Sequence, residues 1–165
     1  MTPQEISRRF EAAQEVAVEA GSLARRYFLR QIPIEIEKKS RQDWTTTADR
    51  EVEKLIVDGI RSSFPEDGFL GEEGGGSDHD LLWVIDPIDG TNNFIRGLAE
   101  WCISIAFVVK GTLELGIVHD PNADEFYAAR RGNGATRNGR PIQVSGRQDI
   151  REAMVAIGFS YRTDV

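Results

Sequence analysis

Apolar residues recur at three- and four-residue intervals over the first 30 positions of the chain. The residues with this spacing are Ile6, Phe10, Ala13, Ala17, Ala20, Ala24 and Phe28. Glutamate and arginine occupy many positions between them, so an amphipathic helix is predicted over residues 3–30. A second helix is predicted from Thr46 or Thr47, because threonine is a favourable N-cap residue. Its buried stripe would consist of Val52, Leu55, Ile56 and Ile60.

Beyond residue 68 the helical spacing is replaced by short apolar runs between turn-forming residues. Strands are predicted at 69–70, 81–85, 101–109, 113–118, 125–129 and 153–159, and an extended segment at 32–38. Two helices followed by a meander of strands predict an α+β or α/β layered sandwich, with the helices packed on a mainly antiparallel sheet. We expect an N-terminal domain over residues 1–152 and the start of a second, truncated α/β subdomain over residues 153–165.

Composition restricts the possible partners. The 165 residues carry a net charge of -7 without a block of Lys or Arg, which argues against a nucleic-acid partner. The longest apolar run, 101–109, is too short to span a bilayer, so no membrane partner is expected. The single cysteine, Cys102, fits a reducing compartment, and we expect a cytoplasmic protein in which this cysteine is a core residue.

An acidic motif follows the predicted strand 81–85. The run Asp86–Thr91 reads DPIDGT, and Glu72 and Glu73 lie a short way before it. Gly90 permits a sharp turn, and a helical turn that begins at Thr91 would direct N–H groups at an anion. Carboxylates about 4 Å apart repel by roughly 4 kcal/mol at an effective dielectric of about 20, so such a cluster needs protons or a cation. Ligands that are all oxygen favour Mg²⁺, Mn²⁺ or Ca²⁺.

Other interpretations of the same motif are weaker. Asp-Pro and Asp-Gly pairs are common in turns, so DPIDG alone does not establish a site. Counted as an EF-hand loop from Asp86, the motif has Ile88, Thr91 and Gly97 where acid, glycine and glutamate are needed. The aspartyl-nucleophile phosphatases of the haloacid dehalogenase type carry Asp-x-Asp, whereas two residues separate Asp86 from Asp89 here. His79 and His119 have no metal-ligand spacing.

Three segments together resemble the inositol monophosphatase family of Mg²⁺-dependent, lithium-sensitive-type phosphatases. They are GEE at 71–73, WVIDPIDGTNNF at 83–94 and GIVHDPNADEFYAARRGNGATRNGRPIQVS at 116–145. The resemblance covers essentially the whole chain. It implies a layered sandwich, hydrolysis of a small phosphorylated substrate with two or three Mg²⁺ ions (Mn²⁺ is also possible), and a homodimer.

The resemblance also implies roles for individual residues. Glu72 and Asp86, with the backbone carbonyl of Ile88, resemble ligands of a first metal ion. Asp86 would bridge to a second ion that Asp89 also binds. The resemblance also implies that Glu72 helps to deprotonate a water molecule activated by the metal.

The remaining roles concern phosphate, water and an outer ion. Gly90 and Thr91 resemble phosphate-contacting residues. Asp49 resembles the acid that bonds to the threonine and helps to activate water. Lys38, or Lys39 because the spacing is ambiguous by one, resembles a lysine near the outer metal.

Two departures from the family pattern limit these expectations. Ala99 stands where many members have proline. No segment after Asp149 matches the family's Trp-Asp-x-Ala-Ala-Gly-like motif, whose aspartate completes the second metal site. We therefore expect this chain alone to be weakly active or inactive. Inositol monophosphate is the expected substrate. The alternatives are histidinol-phosphate or nucleotide 3′-phosphate hydrolysis, or a non-catalytic metal-binding or dimerisation fragment.

Overall fold

A computed structural model describes residues 1–40, 43–76 and 79–155, with residues 39, 40 and 43 described by their backbone alone. The helices are α1 (Pro3–Phe28), α2 (Thr47–Ser63) and α3 (Thr91–Arg96). The strands are β1 (Ile36–Ser40), β2 (Asp43–Thr46), β3 (Gly68–Gly71), β4 (Gly75–Gly76), β5 (Leu81–Asp89), β6 (Cys102–Val109), β7 (Thr112–Asp120), β8 (Glu125–Arg130), β9 (Gly134–Arg137) and β10 (Arg140–Ile142). A 3₁₀ turn covers Ile150–Glu152.

The strands form two sheets. β1 and β2 make an antiparallel hairpin, and the other strands form an eight-stranded sheet in the order β10-β9-β8-β7-β6-β5-β3-β4. Within that sheet only β3 and β5 pair in parallel, and the remaining neighbours are antiparallel. The predicted layered fold, with two helices packed on a mainly antiparallel sheet, is therefore confirmed.

Local chemistry at the helix starts explains where both long helices begin. Thr2 and Glu5 form a capping box at the start of α1, and Thr46 and Asp49 form one at the start of α2. In each box a side chain satisfies a backbone N–H that has no partner within the helix. The second helix begins where the threonines predict it, whereas α1 ends two residues before the predicted position 30.

The core lies between the two long helices and one face of the large sheet. The stripe of α1 is rich in alanine, so the helix approaches its neighbours closely. A Cβ atom on Gly21 would lie 2.5 Å from the ring of His119, whose Nδ1 is 3.0 Å from the carbonyl oxygen of Ala17. The strand predicted at 113–118 continues through His119, which is buried in β7 and contacts α1.

The opposite face of the large sheet has no helix of the described residues on it. A shallow groove of about 270 Å³ lies there, lined by small residues that include Ala106, Gly116 and Ala129. Val118 on this face is 39% exposed. Apolar burial in the described part of the chain is therefore concentrated on the side of α1 and α2. Among the described residues, no helix has the length and apolar character needed to cross a membrane.

Several predicted boundaries differ from the structure. The strand predicted at 81–85 continues to Asp89, so the acidic motif begins inside β5. Residues 153–155 are not in a strand, contrary to prediction, and residues 156–159 of that prediction lie outside the described residues. The domain boundary after residue 152 stays a prediction. Strands β2, β4, β9 and β10 have no counterpart in the prediction, because each is short and lacks an apolar alternation.

A buried ionic network joins α1 to the start of the large sheet. Arg9 donates from Nε and Nη2 to the two carboxylate oxygens of Asp67, at 2.8 and 2.7 Å. The indole N–H of Trp83 donates to the same carboxylate at 3.0 Å. The guanidinium of Arg9 also lies 4.4 Å from the ring centroid of Phe64. All of the donors thus converge on one buried carboxylate.

Loss of this carboxylate should be strongly destabilising. Asp67→Asn places an amide group against donors, and removing one partner of a buried pair typically costs about 3–5 kcal/mol. We expect the free energy of unfolding, measured by urea denaturation, to fall by about 3 kcal/mol. Asp58→Asn breaks an exposed ion pair with Lys54 and should change the free energy of unfolding by less than about 1 kcal/mol. Equal losses in the two variants would contradict the assignment.

Candidate active site

Parallel pairing of β3 with β5 brings the first two acidic residues together. Gly71 at the end of β3 lies opposite Ile85. The pairing continues one step further, since the N–H of Glu72 donates to the carbonyl of Ile85 at 3.2 Å. Because parallel strands end at the same edge of a sheet, Glu72 emerges beside Asp86. Their proximity depends on tertiary structure, since the two residues are far apart along the chain.

The end of β5 carries the rest of the acidic motif. Its pairing with β6 shifts register between Asp86 and Asp89, and Asp89 then lies opposite Cys102. Pro87 and Ile88 are buried inside this irregular segment. Asp86 is partly buried and Asp89 is exposed, so the two carboxylates lie at one end of β5 at different depths.

Asp86 has an unusual electrostatic environment. Burial, followed by the charges of Glu72 and Asp89, raises the pKa of Asp86 from 3.8 to about 8, partly offset by a hydrogen bond from the backbone of Ile88. Its Oδ1 atom is buried and has no hydrogen-bond partner among the described residues. A buried carboxylate oxygen without a donor, facing two further carboxylates, fits a hard divalent cation such as Mg²⁺.

Glu72 approaches Asp86 closely enough for a hydrogen bond between their side chains, and the charge of Asp89 also acts on Asp86. In the described part of the chain, no group of three or more His, Cys, Asp and Glu side chains is close enough to hold a metal ion. Full convergence would bring like charges together, at roughly 4 kcal/mol for each pair about 4 Å apart. A cation between them would remove this repulsion. The set of carboxylate and carbonyl oxygens therefore fits the chemistry of Mg²⁺.

Thr91 joins the acidic motif to the start of α2. Its hydroxyl lies 3.1 Å from Oδ1 of Asp49 and 3.0 Å from the carbonyl oxygen of Ile88. Asp49 is buried and accepts from the backbone and hydroxyl of Thr46 at 2.9 and 2.6 Å. Burial raises the pKa of Asp49, and the hydrogen bonds from Thr46 and Thr91 oppose this. The hydroxyl of Thr91 is thus held between a carboxyl group and a carbonyl group.

Gly90 turns the chain from β5 into α3. It has a φ of 100°, and its carbonyl accepts from the backbone N–H groups of Asn93 and Phe94 at 2.8 and 3.0 Å. A Cβ atom here would lie 2.9 Å from the carbonyl oxygen of Glu100. Only glycine meets both demands without strain. The first turn of α3 consequently starts beside Asp89, where helix N–H groups favour an anion.

The lysine predicted near an outer ion lies in the β1–β2 hairpin. Lys38 is exposed, and its Nζ lies 5.6 Å from the ring centroid of Trp44 in the β1–β2 hairpin. The side chain of Lys39, the alternative, lies outside the described residues. The role of either lysine stays a prediction.

Two neighbours of the site were not assigned to it from the sequence. Glu53 in α2 accepts from the backbone N–H groups of Glu73 and Gly74, next to Glu72. Cys102 has its sulfur 4.0 Å from Oδ2 of Asp89. Burial, followed by the nearby carboxylates, raises the pKa of Cys102 to about 12, so the thiol is protonated at neutral pH. The four-residue spacing of Glu53 from Asp49 is the one signal that could have identified it.

Comparison with known proteins finds relatives of this chain. A model of the inositol monophosphatase family matches residues 5–165. Nus factor SuhB of Pseudomonas aeruginosa is 42% identical over 91% of this chain, which spans 57% of that protein. The solved IMPase of Thermotoga maritima is 40% identical, with a TM-score of 0.79 over 84% of this chain and 54% of that one.

A third relative has been solved with ligands. SaIMPase-II of Staphylococcus aureus was determined with inositol monophosphate bound and with 2′AMP bound. It is 32% identical, with a TM-score of 0.71 over 86% of this chain and 51% of that one. The chain thus spans about half the length of the relatives that it matches.

The raised pKa of Asp86 predicts how metal-free stability depends on pH. A carboxyl whose pKa rises on folding stabilises the protein below its unfolded value near 3.8, and this contribution is lost as the pH rises through about 8. Asp86→Asn removes the dependence. Asp86 is partly exposed and solvent screening reduces the effect, so we expect Tm in EDTA to rise by about 4 °C near pH 8.5 and hardly change near pH 4.

Thermal unfolding at the two pH values checks this expectation. Asp58→Asn, which changes an exposed carboxylate, should show no such difference between the two pH values. A similar shift of Tm in both variants would contradict the special environment of Asp86.

Proposed function

This chain belongs to the inositol monophosphatase family, and we propose that the protein it represents hydrolyses a small phosphate monoester with the help of Mg²⁺. The observation that carries the proposal is the buried, unpartnered oxygen of Asp86, beside Glu72 and Asp89. An acidic site of this kind cannot hold a phosphate ester without added positive charge.

In this proposal the cation ligands are Glu72, Asp86, Asp89 and the carbonyl of Ile88. Bound Mg²⁺ would supply a water of lowered pKa and would neutralise charge that develops on the leaving alcohol. Two or three ions are expected by resemblance to the family, and Mn²⁺ is an alternative. Pro87 and Ile88 pack this segment into the core, which would keep the ligands in place.

The other residues of the site would orient phosphate and move a proton. Gly90 leaves the phosphate free access to the backbone at the start of α3. Thr91 would contact the phosphate or the attacking water through its hydroxyl. Its bond to Asp49, whose pKa is raised, gives a proton taken from water a place to go. Glu72, exposed at the edge of the sheet, would act with this pair as a base.

Inositol monophosphate is the substrate we propose first. SaIMPase-II, with inositol monophosphate in one structure and 2′AMP in another, supports a site that accepts both a polyol phosphate and a nucleotide phosphate. A nucleotide 3′-phosphate or histidinol phosphate would fit the same chemistry. We propose further that the protein is a cytoplasmic homodimer without nucleic-acid or membrane partners.

A second candidate function follows from the name of the curated relatives. Proteins 42% and 37% identical to this chain are called Nus factor SuhB. A non-catalytic role as such a factor would need the fold but no hydrolysis. A non-catalytic fragment that binds metal or mediates dimerisation is a further alternative that the sequence allows.

Replacing Asp89 separates these functions. The variant Asp89→Asn lacks one ligand charge and should lower the release of phosphate from inositol 1-phosphate by at least about 100-fold in saturating Mg²⁺. The protein that contains this chain is assayed, with Asp58→Asn as the control of unchanged activity. Normal turnover by Asp89→Asn would rule out the proposed site. Rescue of a deletion strain of the source organism by the inactive variant would instead favour the Nus-factor role.

The hydroxyl of Thr91 should be needed for the chemical step. Thr91→Val keeps the shape of the side chain but loses the bonds to Asp49 and Ile88, so kcat should fall about 100-fold or more while folding is retained. Thr91→Ser keeps the hydroxyl and should retain most activity. Equal losses in the two variants would contradict a role for the hydroxyl.

A further inference from the structure

Glu53 is a buried acid of α2 that the proposed chemistry does not use. It lies two turns into the helix and is 8% exposed. One carboxylate oxygen accepts from the N–H of Glu73 at 2.9 Å, and the other accepts from the N–H of Gly74 at 2.8 Å. Both oxygens therefore accept hydrogen bonds from consecutive backbone amides, immediately after Glu72.

The close approach of the Glu53 carboxylate to the turn requires glycine at positions 71 and 74. A Cβ atom at Gly71 would overlap the carboxylate of Glu53, and one at Gly74 would lie 2.7 Å from Oε1. Gly71 and Gly74 flank Glu72 and Glu73, so the close contact extends across the whole turn. The carboxylate occupies the space that larger residues would fill.

The turn has little packing behind it. A cavity of about 470 Å³ lies between α2 and the segment that follows β3, and its lining includes Glu53, Arg61, Phe69 and His79. Because few apolar contacts hold this segment, its hydrogen bonds contribute a large share of its order. The two bonds to Glu53 are charge-assisted, which makes them stronger than bonds between neutral groups.

The position of Glu53 on α2 links it to the rest of the site. Asp49 and Glu53 are four residues apart, so they lie on the same face of the helix. Asp49 contacts Thr91 at the end of β5, and Glu53 contacts the turn at the end of β3. One helix face therefore reaches both strand ends from which the acidic residues emerge.

We propose that Glu53 is the positioning residue for Glu72: by holding the amides of Glu73 and Gly74, it keeps the Glu72 carboxylate beside Asp86. This role rests on the proposed function, because it matters for activity only if Glu72 binds Mg²⁺. Both carboxylate oxygens of Glu53 accept from backbone amides, so Glu53 is not among the proposed ligands of the ion. Groups that orient metal ligands typically contribute about 10- to 100-fold to metal affinity.

The variant Glu53→Gln tests the proposal. Glutamine has nearly the same shape but presents an NH₂ group to one of the two amide donors. In the metal-free chain we expect hydrogen exchange at Glu73 and Gly74 to become at least about 10-fold faster, with strands β6 and β7 unchanged. In calorimetric titration with Mg²⁺, the dissociation constant should rise at least about 10-fold.

Two further variants separate positioning from general destabilisation. Gly71→Ala leaves Glu53 intact but displaces its carboxylate, and so should repeat both effects. Asp67→Asn removes another buried carboxylate, which bonds to Arg9 and Trp83 instead of to the turn. It should lower Tm without selective exchange at Glu73 and Gly74 and without weaker binding of Mg²⁺.

The outcomes are distinct. Faster exchange with weaker Mg²⁺ binding in Glu53→Gln and Gly71→Ala supports the proposal. Unchanged exchange in Glu53→Gln overturns it, as does faster exchange with unchanged affinity. If the unaltered protein binds no Mg²⁺ and releases no phosphate, the proposed function fails. Exchange at the two amides then still decides whether Glu53 holds the turn.

Discussion

The parallel pairing of β3 with β5 is the interaction on which the candidate site depends. Every other neighbour in the large sheet is antiparallel, and an antiparallel β3 would point Glu72 away from Asp86. The connection between two parallel strands must cross the sheet. Here the chain leaves β3 through the short antiparallel strand β4 before β5 begins. The acidic residues meet because of this topology and not because of their spacing in the sequence.

Helix α2 provides the second constraint, since it delivers two buried acids to the same region. Burying Asp49 and Glu53 on one helix face is unfavourable unless each carboxyl group receives hydrogen bonds. Asp49 receives them from Thr46 and Thr91, and Glu53 from the turn after β3. Both of these acids are satisfied by protein donors, whereas Asp86 has a buried oxygen without one. This contrast distinguishes a structural acid from an acid available to a cation.

Features encoded locally were predictable, and features set by tertiary pairing were not. The start of α2 follows from Thr46 and Asp49, which form a capping box within four residues. The predicted strand ends at Ile85, where the apolar run ends, whereas β5 continues through Pro87 because an irregular pairing with β6 accommodates it. The burial of His119 depends on Gly21, about 100 residues away, and no local pattern reveals that contact. The motif DPIDGT identified the site, while the contacts of Glu53 required the fold.

The ionised carboxylate of Asp86 destabilises the metal-free fold but would be available to bind a cation. A half-buried position of this kind would be more stable with a neutral side chain, because burial and two neighbouring carboxylates all oppose ionisation. Retaining the acid makes sense if a ligand restores the lost free energy, since a group that binds only the folded state stabilises it by mass action. Thr91 and Gly90 would then both contribute to binding an anion. Both lie within five residues of Asp86, where an anion drawn to a bound cation would meet the start of α3.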